Sequence, residues 1–125
     1  MANRNAAEET PVSTTPLPPN LQPRDLIASY QAILDSLSKA YWEASDLPSK
    51  DLIYGVQQAI SDIITTLTTA QVETLTKQFI ALKPKIDATN VALGKIKDQV
   101  NQITKNIGTA SMLVNGITKI LAMFP

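Results

Sequence analysis

A heptad pattern of apolar residues runs without interruption through the second half of this chain. One series recurs every seven residues and a second falls three residues after each member of the first: Ile86, Leu93, Val100, Ile107, Val114 and Leu121, then Thr89, Ile96, Ile103, Ala110, Ile117 and Phe124. Side chains spaced on average 3.5 residues apart form one narrow stripe along a helix. The pattern therefore predicts a long helix whose stripe is covered by other helices.

Two shorter helical segments precede this long helix. Apolar residues recur in steps of three and four from Leu26 to Ala44, and again from Leu52 to Leu67, where Ser49 is a suitable N-cap. The threonine-rich residues 65–69 change the phase of the pattern, which indicates a turn. We expect helices at about residues 24–44, 50–67 and 70–122.

Pro84 interrupts the third of these helices. Proline lacks the amide hydrogen of a helical residue, but the apolar register passes through Pro84 unchanged, which favours a kink. A helix of about fifty residues would span roughly 75 Å, whereas the first two would span about 30 Å each. The third helix therefore either folds back at Pro84 or Gly108, or is covered by another chain.

These patterns predict an all-α fold with a single domain over residues 24–125. It would contain three helices, or four if Pro84 breaks the third, arranged as a bundle or as an extended helical hairpin. The long C-terminal helix would carry the heptads and kink at Pro84.

Residues 1–23 have a different composition, with five of the eight prolines: Pro11, Pro16, Pro18, Pro19 and Pro23. We expect this tail to be disordered or to form polyproline II. It could serve as a linker, as a proline-rich ligand or as an uncleaved secretion signal. It lacks the apolar region of a classical signal peptide, so we expect a cytoplasmic or non-classically secreted protein.

The composition argues against catalysis. Cysteine and histidine are absent, so thiol nucleophiles, imidazole bases and Cys/His metal sites are excluded. The carboxylates are scattered, and the 4 glycines form no phosphate-binding loop. We expect no catalytic residue, no metal site and no cofactor. With 11 basic and 11 acidic residues, we expect no nucleic-acid partner either.

The leading hypothesis is a non-enzymatic helical module that oligomerises or binds a partner helix. It would act through a seam, by which we mean the stripe residues Ile86, Leu93, Ile96, Val100, Ile103, Ile107, Val114, Ile117 and Leu121. Because the first two helices are too short to cover this seam, we expect a homo-oligomer or a complex with another helical protein.

The alternative hypothesis is a protein that switches from a soluble to a membrane-bound form, such as a small α-helical pore-forming toxin component. Its membrane or partner segment would contain Met112, Leu113, Ile120 and Phe124. We favour it less, because polar residues interrupt this apolar surface. Tyr41 and Trp42 could also anchor a partner, but we expect them to cap the helical core.

Overall fold

The computed structural model describes residues 22–124, and every regular element within them is helical. The predicted tail lies outside the described residues except for its last two positions. Pro23 belongs to the first helix rather than to the tail. A proline is well suited to this place, because the first amide groups of a helix have no partner within the helix.

Six α-helices and a short 3₁₀ turn follow one another along the described residues. They are α1 (Pro23–Glu43), α2 (Leu47–Thr69), the 3₁₀ turn (Val72–Thr74), α3 (Leu75–Ala81), α4 (Lys83–Asp98), α5 (Val100–Ile103) and α6 (Ile107–Ala122).

The four long helices form the sides of a bundle. α1 packs against α2 and α6, and α4 packs against the same two helices on the opposite side. Short connections make helices that follow each other antiparallel. Residues 44–46 and 104–106 therefore meet at one end, which we call the loop end. The prediction of an all-α helical bundle is confirmed.

The core runs along the axis of the bundle and is almost entirely aliphatic. Its fully buried large side chains come from all four sides and include Leu26, Ile33, Leu37, Ile53, Ile60, Ile63, Ile86, Leu93, Ile96, Ile103 and Leu113. Burial of one such side chain contributes about 1.5–3 kcal/mol, so the stripes read from the sequence supply most of the force that holds the helices together.

The prediction of one helix over residues 70–122 is wrong, because the chain departs from it twice. The first departure is slight: α3 passes into α4 through Leu82, whose backbone stays in the helical region, and Pro84 lies in the first turn of α4. The second is a reversal. Thr104 is extended, with φ −141° and ψ 143°, and α6 then returns along α1 and α4.

The reversal is favoured by polar capping at the turn and by apolar burial beyond it. Asn106 is the N-cap of α6, and its side chain accepts a hydrogen bond from the Thr109 amide. Leu113, Ile117 and Ile120 of α6 become fully buried in the bundle. Of the two alternatives left open by the sequence, the helix folds back, but a few residues before Gly108.

The start of α2 also differs from the prediction. The helix begins at Leu47 rather than at residue 50, and Asp46 rather than Ser49 is its N-cap. The Asp46 carboxylate accepts a hydrogen bond from the Ser49 amide at 3.0 Å. Pro48 fits this arrangement because proline is favoured in the first turn of a helix.

Candidate interaction surface

The predicted seam faces the interior of the bundle along most of its length. Six of its residues are buried within the chain, namely Ile86, Leu93, Ile96, Val100, Ile103 and Ile117, while Val114 and Leu121 are half-buried. Because α6 folds back, the chain's own helices provide the cover that the sequence had assigned either to a fold-back or to another chain.

Ile107 does not follow the rest of the seam. It is the first residue of α6 and is 82% exposed. α6 turns Thr109, Leu113, Ile117 and Ile120 to the core, instead of the heptad positions. Ile107 lies two residues before Thr109, and two residues on a helix are about 200° apart. The assignment of Ile107 to a buried seam is therefore wrong in this fold.

The predicted membrane or partner segment is divided between the core and the surface. Leu113 and Ile120 are fully buried, Phe124 is half-buried, and only Met112 is exposed. The segment therefore presents no continuous apolar surface in this structure. None of the helices in residues 22–124 is long and apolar enough to cross a membrane.

Three large apolar side chains at the loop end are strongly exposed. Trp42, at the end of α1, is 78% exposed, and Leu47, at the start of α2, is 69% exposed. Ile107, at the start of α6, is the third. Large exposed apolar side chains gathered at one end of a small bundle are typical of a surface that contacts another molecule. The expectation that Trp42 caps the core is wrong, although Tyr41 is half-buried against it.

Local contacts hold the aromatic part of this surface in place. The rings of Tyr41 and Trp42 meet edge to face, with their centroids 5.4 Å apart. The Lys50 ammonium lies 4.4 Å from the centroid of the Tyr41 ring and donates a hydrogen bond to the Tyr41 carbonyl oxygen. A cation over an aromatic face is attracted by the ring electrons, so the side chain of Lys50 ties α2 to the end of α1.

A polar network fixes the other half of the loop end. The Glu43 carboxylate accepts hydrogen bonds from the hydroxyls of Thr104 and Thr109, the latter at 3.2 Å. The Thr104 hydroxyl oxygen accepts in turn from the Asn106 amide at 3.0 Å. These bonds join α1 to the turn between α5 and α6. The sequence analysis missed this network, although Asn106 followed by an apolar helical run is a recognisable helix start.

A shallow apolar groove lies between α2 and α4 and encloses about 340 Å³. Its floor is made of small residues on the two helices, namely Gly55, Ala59, Ala88 and Ala92. An ion pair between Lys85 and Asp62, 3.2 Å apart, bridges the two helices beside it. A catalytic or cofactor site needs polar groups that converge on the ligand, and the lining offers only Asp51, Lys85 and Thr89 among apolar residues.

The polar groups of the described residues are arranged for structure. Residues 22–124 contain no group of three or more acidic side chains that could hold a metal ion. Within the core, the Tyr30 hydroxyl donates a hydrogen bond to the Asn90 side-chain oxygen at 2.9 Å. Burial, together with the negative charge of Asp87, raises the pKa of Tyr30 far above its usual value.

Comparisons with known proteins identify no relative. No protein-family model matches the chain, and neither a curated protein nor a solved structure is significantly similar to it.

Proposed function

We propose that this chain is a non-enzymatic helical interaction module that binds another helical chain through its loop end. The observation that carries the proposal is the exposure of Trp42, Leu47 and Ile107 at the same end of a bundle whose core is otherwise filled. An apolar side chain held in water gains free energy when a partner covers it, at about 25 cal/mol for each Å².

The composition of the loop end supports this proposal. Tryptophan is among the residues that contribute most to protein interfaces, and Trp42 is the only one in the chain. Its contact with Tyr41, and the position of Lys50 over both rings, restrict its movement before binding. A side chain that is already ordered loses less conformational entropy when a partner covers it.

The non-enzymatic part of the proposal rests on the chemistry of the side chains. The chain has no histidine or cysteine. Glu43 is occupied as an acceptor of two threonine hydroxyls, and Tyr30 is buried with a strongly raised pKa, so neither is free to exchange protons with a substrate near neutral pH.

Self-association offers a direct test, because the chain is its own available helical partner. We expect the mass measured by light scattering to rise with concentration between about 1 μM and 1 mM, as mass action requires. The fluorescence of Trp42 should shift to shorter wavelength at the same time, because an interface removes its ring from water.

Two substitutions give the matched comparison. Ile107→Ser should weaken association at least tenfold, equivalent to about 1.4 kcal/mol. Val91→Ser should leave association unchanged, because Val91 is similarly exposed but lies on α4, away from the loop end. Equal effects of the two substitutions, or association with no change in Trp42 emission, would contradict a binding surface at the loop end.

A further inference from the structure

The connection between α5 and α6 is compatible with two conformations. Residues 104–106 are Thr, Lys and Asn, and they contain neither proline nor glycine. The heptad register also continues through them: Val100 and Ile103 before the turn are in phase with Ile107 after it. A reversal would usually reset the phase, whereas an unbroken register is the pattern of a continuous helix.

The reversed conformation leaves part of this register unused. Val100 and Ile103 are buried, but Ile107 is 82% exposed, and Val114 and Leu121 are only half-buried. If residues 99–106 were helical, Val100, Ile103 and Ile107 would lie on one face, where a second helix could cover all three. The apolar residue at the hinge is therefore placed better for the straight helix than for the turn.

The bonds that hold the turn are polar and lie near the surface. Glu43, which accepts from Thr104 and Thr109, is itself exposed, and so is the capping residue Asn106. Water can replace such bonds at little net cost in free energy. Straightening residues 104–106 would also supply the helical hydrogen bonds that the turn lacks.

We infer that two copies of this chain exchange α6, each straightening residues 83–122 into one helix that completes the bundle of the other copy. The inference rests on the proposed function and identifies the helical partner as a second copy of the chain. The exchanged α6 would occupy the place between α1 and α4 that it fills in the single chain. The two straight helices, each about 60 Å long, would lie antiparallel and cross near residue 105.

The area available is that of a stable dimer. α6 has 16 residues, so it is about 24 Å long and 10 Å wide, with a side surface of roughly 750 Å². Half of that surface, together with the matching area on α1 and α4, gives about 1,500 Å² for two exchanged helices. Stable interfaces bury about 1,200–2,000 Å². The exchange also brings together the loop ends of the two copies, where Trp42 and Leu47 are exposed.

Distances between spin labels distinguish exchange from simple association. The chain has no cysteine, so Val91→Cys and Thr118→Cys provide two unique attachment sites on exposed positions of α4 and α6. In the reversed chain these antiparallel neighbours hold the two labels within about 20 Å of each other, because packed helix axes are about 8–10 Å apart. In a straight helix the 27 residues between them span about 40 Å.

The full-length labelled chain should be mixed with an excess of unlabelled chain, unfolded in guanidinium chloride and refolded at about 1 mM. Only the distance within one chain is then measured. We expect a dimer fraction, with twice the 13.5 kDa mass of the chain, that shows the 40 Å distance. The monomer fraction should show the short distance.

Lys105→Pro and Lys105→Ala form the matched pair of variants. Thr104 already has the extended backbone that a following proline requires, so the reversed chain can accept Lys105→Pro. A proline inside the straight helix would remove a hydrogen bond and clash with the preceding turn. Lys105→Pro should reduce the exchanged dimer at least tenfold, while Lys105→Ala should keep it. Circular dichroism checks that both variants remain helical.

Three outcomes would overturn the exchange. One is a dimer in which the distance within the chain stays short, which would leave the proposed loop-end interface intact and refute only the exchange. Another is equal dimerisation of Lys105→Pro and Lys105→Ala. The third is a chain that stays at 13.5 kDa after refolding at high concentration. The proposed function fails separately, if Ile107→Ser and Val91→Ser have the same effect on association.

Discussion

Tyr30 is the largest fully buried side chain among the described residues, and it carries a hydroxyl into an aliphatic core. The hydroxyl reaches across the bundle from α1 to Asn90 on α4, two helices that are not sequence neighbours. A buried polar group without a partner is costly, so this bond favours one alignment of α1 with α4 over others.

This environment predicts an alkaline limit to stability. The pKa of Tyr30 is raised from 10.0 mainly by burial and also by Asp87. Below pH 10.0 Tyr30 is protonated in both the folded and the unfolded chain, and its contribution to stability is fully present. Above that pH only the unfolded chain loses the proton, so the free energy of unfolding falls by about 1.4 kcal/mol for each pH unit.

Urea unfolding near pH 8 and near pH 11 measures this effect. Tyr30→Phe should be less stable by about 1 kcal/mol near neutral pH, because its hydrogen bond is lost, but it should lack the alkaline decrease due to Tyr30. Tyr54→Phe, at an exposed ring, should keep the decrease. An unchanged alkaline decrease in Tyr30→Phe would show that other groups cause it.

Packing between elements differs along the bundle, and two glycines report the difference. Gly94 on α4 has open space where a side chain would begin, with no atom within 4 Å. Gly116 on α6 lies against α1, and an added Cβ would come within 2.5 Å of Ile33 Cδ1. Gly116 therefore allows α6 and α1 to approach closely.

The two corresponding alanine variants should behave differently. Gly94→Ala should raise the free energy of unfolding by up to about 1 kcal/mol, because alanine favours the helix. Gly116→Ala has the same helical gain, but it must displace the buried Ile33 side chain, which costs about 1–3 kcal/mol. Chemical unfolding of both variants gives the comparison. An equal stabilisation would show that α1 and α6 are less tightly packed than the structure indicates.

At the scale of the whole molecule, the reversal at residues 104–106 decides which surfaces are available. It closes four long helices around one core and covers Leu113 and Ile120. It also leaves the loop end as the place where Trp42, Leu47 and Ile107 are exposed together.

Vesicles test whether α6 leaves the bundle for a lipid surface. We expect dye-loaded anionic and neutral vesicles not to leak, because α6 would lose its buried contacts and Lys119 and Asn115 interrupt its apolar surface. Met112→Lys is the appropriate variant, since Met112 is exposed and the change should leave the fold intact. Leakage by the natural chain that Met112→Lys abolishes would support the membrane alternative instead.

The sequence by itself determined the helical class, the faces of the first two helices and the stripe from Ile86 to Ile103. These features follow from periodicity, a local property that any stretch of helix displays through its own residues. The interruption at Pro84 was predictable for the same reason, since proline acts on the turn in which it lies.

Only the tertiary structure decided the reversal after Ile103, the rotation of α6 toward Thr109 and Leu113, and the exposure of Ile107. The same heptads suit a straight helix and a reversed one. The choice between them depends on burial against α1 and on bonds from Glu43, a residue 61 positions before Thr104. Such long-range contacts leave no periodic signal, because their free energy arises only when distant segments meet.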